Sequence, residues 1–107
     1  MDMDVTVRHG VKVDEVAREM LESKVAKLYK FSKRIVAVHV IAEKDGSELL
    51  LELNVTASRK IFTAKSRSFD LVDAIEDAVE KMSKQLRRHE GRYRTRKKEK
   101  KEPDMGR

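Results

Sequence analysis

The run "IVAVHVIAEKDGSELLLELNVTASRKIFTAK", residues 35–65, constrains the fold more than any other part of the chain. From Ile35 to Glu43 almost every position is apolar and most are β-branched, which favours a well-covered strand over a helix. "KDGS" then supplies a turn. In "ELLLELNVTA", Leu49, Leu51, Leu53 and Val55 alternate with Glu48, Glu52, Asn54 and Thr56, and "KIFTAK" resumes after a short "SR" connection. These segments read as a three-stranded antiparallel meander.

What flanks the meander completes a β-α-β-β-β-α order. Met3, Val5 and Val7 alternate with Asp4, Thr6 and Arg8, the period-two pattern of a strand with one wet face. Asp14 is placed to cap a helix to about Lys30, with Val16, Ala17, Met20, Leu21, Val25, Leu28 and Phe31 at helical spacing. Asp70 caps a second helix, whose stripe is Leu71, Ala74, Ile75, Ala78, Val79, Met82 and Leu86, and Gly91 is a natural stop. The fold class expected is α+β: a two-layer sandwich with a four-stranded mixed sheet and two parallel helices on one face. The domain should span residues 1–91, followed by a basic tail, 92–107, disordered when alone.

The net charge of +6 is not spread along the 107 residues. Residues 1–86 are electrically balanced, whereas Arg87 to Lys101 is almost wholly basic and holds only Glu90 and Glu99 in opposition. Right-handed crossover connections make the two helices run in the same direction, so their C-terminal ends meet. That topology gathers Lys24, Lys27, Lys30, Lys33, Arg34, Arg59, Lys60, Lys81, Lys84, Arg87 and Arg88 at one pole, where the tail also leaves the domain. Compensation of the helix dipoles explains part of this. It does not call for Lys33, Arg34, Arg59 or Lys60, and a phosphate-rich partner accounts for those. The few aromatic residues form no paired stacking motif, so folded RNA met through phosphates and shape is the expected ligand. Arg92, Arg94, Arg96, Lys97 and Lys98 on the tail add electrostatic affinity.

No enzyme is expected. His9, His39 and His89 have no metal-ligand spacing and no nucleophile beside a base, and there is no glycine-rich phosphate loop. No catalytic residue, metal or cofactor is therefore expected. With no Cys, no signal peptide and no long apolar run, a cytoplasmic location is expected, with no membrane and no small-molecule substrate as partner.

At "DLVDAIEDAVEKMSKQLRRH" and "VDEVAREMLESKVAKLYKF", together with the strand order, the chain resembles the ribosome hibernation-promoting factor and ribosome-associated inhibitor family, also labelled sigma-54 modulation proteins. The resemblance covers about Met3 to Tyr93. Asp70, Leu71, Ala74, Ile75, Lys81, Gln85, Leu86, Arg87 and Arg88 match the family pattern, while Val72 stands for its usual Tyr, Met82 for Leu and Lys84 for Arg. The resemblance implies a short-form factor that lies in the messenger and transfer-RNA channel of the small ribosomal subunit and blocks translation under stress, and it is expected to be a monomer off the ribosome. It also implies that Lys24, Lys27, Lys30, Lys81, Lys84, Arg87 and Arg88 touch ribosomal RNA phosphates. Two rivals stay open: a general double-stranded RNA-binding module, and a protein-protein modulator of a transcription factor.

Overall fold

A computed structural model describes residues 3–8 and 10–101, with 92–101 described by backbone alone. Five elements of the expected order appear as β1 (Met3–Val7), α1 (Glu15–Ala26), β2 (Ile35–Asp45), β3 (Glu48–Ala57) and β4 (Lys60–Ser68), and α2 (Leu71–Lys101) closes the series. The strands lie in the order β1-β2-β3-β4, with β1 parallel to β2 and the other two pairs antiparallel. Sequence periodicity thus anticipates the α+β sandwich, because its alternating and helical runs are long enough to be unambiguous.

Local chemistry sets the helix ends. The Asp14 carboxylate accepts a 2.8 Å hydrogen bond from Ala17 N–H, satisfying one of the donors that a helix start leaves bare. After Ala26 the chain tightens into a 3₁₀ turn, Lys27–Lys30, which buries Leu28 completely. The Asp70 carbonyl accepts from Ala74 N–H and opens the hydrogen-bond ladder of α2.

Both helices cover one face of the sheet. Leu21, Val25 and Leu28 meet Ile75, Ala78, Met82 and Leu86 over Val38, Val40, Leu53 and Val55, and this cluster is the core. The opposite face is open, so β2 is covered on one side only, where its sequence suggested fuller cover. A bulge between Ile35 and Ala37 lets both Ile35 and Val38 point inward and turns Val36 out to 64% exposure. On the open face Thr6 bonds His39, Asn54 donates to Glu52 and Thr63 donates to Asn54, a polar ladder in place of a second layer.

Three further expectations are corrected. Val16 is 74% exposed rather than part of the buried stripe, because the stripe that meets the core begins one turn later, at Met20 and Leu21. Helix α2 does not stop at Gly91. Gly91 is not among the residues with positive φ, and the Arg, Lys and Glu residues beyond it are good helix formers, so its cost of roughly 1 kcal/mol does not end the helix. The backbone of 92–101 is accordingly helical, and residues 102–107 lie outside the described residues.

The two hairpins use different turn chemistry. Gly46 takes the positive φ in the β2–β3 turn, as its lack of a side chain permits. Between β3 and β4 the positive values fall on Ser58 (φ 55°) and Arg59 (φ 63°), at a cost of roughly 1–2 kcal/mol per residue for side chains that carry a Cβ.

Candidate nucleic-acid interface

Contacts between the helices climb in step along both. Lys24 meets Glu76, the Arg87 guanidinium lies 5.3 Å from the Phe31 ring centroid, and Arg34 meets Glu90. The helices are therefore parallel, and their C-terminal turns reach the end of the sheet where Ile35 pairs with Ala57 and where the Ser58–Arg59 turn sits.

At this pole the structure brings together Lys30, Lys33, Arg59, Lys60, Lys84, Arg87 and Arg88, all exposed. None of them joins an ion pair among the described residues. Lys60 and Arg87 rest on the rings of Phe62 and Phe31, which holds the charge in place without neutralising it. The far end of the sheet is the opposite case, since Arg67 is shared there between Asp45 and Glu48. Unmatched cations thus cluster at one end of the fold, although single exposed lysines elsewhere, Lys12 and Lys44 among them, also join no ion pair among the described residues.

Lys24, Lys27 and Lys81 of the expected site are placed elsewhere. Lys24 and Lys27 line the groove between the helices with Asp73, Glu76, Asp77 and Glu80, and Lys24 bonds Glu76 at 3.3 Å. Lys81 lies against the outer edge of β4, where its ammonium donates to the Lys65 carbonyl at 2.8 Å and pairs with Asp77 at 3.0 Å. Gln85 donates in the same way to the Thr63 carbonyl. Together these two side chains occupy carbonyls that an edge strand would offer to another chain. The Arg92, Arg94, Arg96, Lys97 and Lys98 side chains lie outside the described residues, as does His9.

Arg34 has a structural partner that periodicity could not reveal. One of its guanidinium nitrogens donates to both oxygens of Glu90, at 2.7 and 2.8 Å, and Ser32 Oγ donates to the same carboxylate at 3.0 Å. Glu90 is only 9% exposed. Burial pushes its carboxyl up, but the hydrogen bonds from Arg34 and Ser32, with the nearby positive charge, outweigh that and hold it below the ordinary glutamate value. The one hint in the sequence is an isolated acid inside the basic run that starts at Arg87.

Neither described histidine forms a reactive pair. His39 bonds Thr6, and His89 packs edge-on against Phe62 with ring centroids 5.1 Å apart. Among the described residues no group of His, Asp and Glu gathers that could hold a metal ion. Likewise, no helix of the described residues is long and apolar enough to cross a membrane.

The sequence model of the family described as "Sigma 54 modulation protein / S30EA ribosomal protein" matches residues 3–94. A ribosome hibernation promoting factor from Salmonella typhimurium is 26% identical over 94 residues, covering 88% of this chain and 98% of that protein. One from Klebsiella oxytoca is 22% identical with the same coverage. A solved ribosomal subunit interface protein from Coxiella burnetii superposes with a TM-score of 0.78 at 21% identity, over 85% of this chain and 99% of the other. The N-terminal domain of Thermus thermophilus Protein Y gives 0.75 at 21% identity, over 83% and 99%. At these identities the two structures speak for the fold.

Proposed function

Because the chain belongs to the Sigma 54 modulation protein / S30EA ribosomal protein family, we propose that it is a ribosome hibernation factor that binds the small ribosomal subunit and inhibits translation. In this reading the protein occupies the messenger and transfer-RNA channel. Its basic pole contacts ribosomal RNA phosphates. The observation that carries the proposal is the cluster of Lys30, Lys33, Arg59, Lys84 and Arg88 at one end of the fold, none of them in an ion pair among the described residues, whereas Arg8 and Arg67 at the other end pair with Glu43, Asp45 and Glu48. Several convergent cations with few exposed aromatics suit phosphate and shape recognition better than base reading. The names of the curated relatives support the same class of partner.

Gradient sedimentation of ribosomal subunits with the protein, repeated over a salt series, tests this. Comigration with small subunits that weakens steeply as salt rises is expected. Equal binding to an isolated RNA duplex would favour a general double-stranded RNA module, and salt-insensitive capture of a protein would favour a transcriptional modulator.

Truncation after Gly91 gives a second expected outcome. Removing Arg92 to Lys101 takes away charge beyond the pole, so affinity and salt dependence should fall while the ribosomal footprint keeps its place. Chemical probing of the subunit RNA checks this, and a shifted footprint would mean that the segment places the protein.

A further inference from the structure

The β3–β4 turn contradicts the residue preferences of its own geometry. Pairing of Ala57 with Lys60 leaves two residues to reverse the chain, and the type I′ form taken here needs positive φ at both. Asn-Gly or Asp-Gly meets that need without strain, whereas here it falls on Ser58 and Arg59. Ser58 Oγ is also buried without a hydrogen-bond partner, a second unfavourable feature in the same turn. The hairpin dictates the backbone here, but it does not dictate an arginine.

What the turn provides is a fixed mount. Ala57 beside it is fully buried and paired with Ile35, so the Arg59 backbone is tied to the centre of the sheet. The Arg59 side chain is exposed and lies at the pole with Lys60. Local strain that persists where a simpler residue would relieve it marks a position held for its side chain.

Resting on the function proposed above, we propose that Arg59 is a phosphate-gripping finger, whose planar guanidinium forks onto one phosphodiester of the folded RNA from the strained, rigid hairpin tip. A guanidinium makes two parallel hydrogen bonds to a phosphate that an ammonium cannot reproduce. Arg59 is thereby set apart from the lysines of the pole, which act as charges.

The test measures melting temperature and affinity for purified small subunits in the full chain, for wild type, Arg59→Gly, Arg59→Lys and the double variant Lys84→Glu with Arg88→Glu. Arg59→Gly should raise the melting temperature by about 4–8 °C, yet weaken binding roughly tenfold and lower the slope of log affinity against log salt by about one. Arg59→Lys should keep the slope but lose severalfold in affinity. A stabilised Arg59→Gly that binds like wild type, beside a defective Lys84→Glu/Arg88→Glu, overturns the finger and leaves the proposed function standing. Wild-type affinity in Arg59→Lys contradicts the forked contact, and an Arg59→Gly that is not stabilised contradicts the strain. Wild-type binding by both Arg59→Gly and the double variant overturns the finger and the binding pole together.

Discussion

Charge reversal at Lys84 and Arg88 together is expected to abolish pelleting with small ribosomal subunits while the domain stays folded. The two side chains are exposed one helical turn apart on α2, and neither joins an ion pair among the described residues. Replacing them removes no core contact, so stability should change by about 0.5 kcal/mol or less at each site. On the proposed function, binding should lose two phosphate contacts and gain two repulsions, a drop on the order of a hundredfold or more at moderate salt. The salt slope should fall by about two in parallel. Thermal melting and pelleting on the same samples separate the two effects, and a folded variant that pellets like wild type would remove the pole from the account.

Glu90→Ala should act in the reverse sense, with a large loss of stability and no loss of positive charge at the pole. The Glu90 carboxylate joins α2, one turn beyond the buried Leu86, to the chain just before β2, through Ser32 and Arg34. Alanine leaves Ser32 Oγ and the Arg34 guanidinium without their carboxylate. Breaking a fully buried pair costs about 3–5 kcal/mol; since the Arg34 side chain is 36% exposed, about 2–3 kcal/mol is the better expectation here. That lowers the melting temperature by roughly 10–20 °C. The pH dependence follows from the depressed carboxyl: the unfolded state binds the proton more tightly, so the stabilisation is present above the ordinary glutamate value and is lost as pH falls through the folded one. Melting curves of wild type and Glu90→Gln should therefore converge in acid, and a gap that stays constant to low pH would contradict the ionised pair.

The fold was largely legible because its signals are local and repeated. Alternation in Leu49 to Val55 and helical spacing in Leu71 to Leu86 each specify an element, and short links between strands leave few topologies. Boundaries were less legible. Gly91 looks like a stop in isolation, but the helix-forming residues on both sides carry α2 through it. Val16 matched the helical period by spacing, although the stripe that meets the core begins at Met20 and Leu21.

For the site, topology alone placed Lys33, Arg59 and Lys60 at the same pole as the helix ends. It could not tell an unmatched cation from a matched one. Lys24, Arg34 and Lys81 carry the same formal charge as Lys84, but Glu76, Glu90 and Asp77 occupy them through contacts that depend on side-chain reach. The Ser32–Glu90 bond joins residues far apart in sequence, and no periodic pattern encodes it. The cost of the Ser58–Arg59 turn was equally hidden, since "SR" shows a connection and only the backbone angles show the strain.

The chain contains no cysteine, so one introduced thiol can carry a hydroxyl-radical source to a known point on the fold. Lys33→Cys puts that source at the pole, and Phe69→Cys puts it on a 73% exposed residue at the opposite end of the sheet. On purified small subunits, the account predicts strong cleavage of channel-lining ribosomal RNA from position 33 and little from position 69. Equal cleavage from both positions, or stronger cleavage from position 69, would contradict binding through the basic pole.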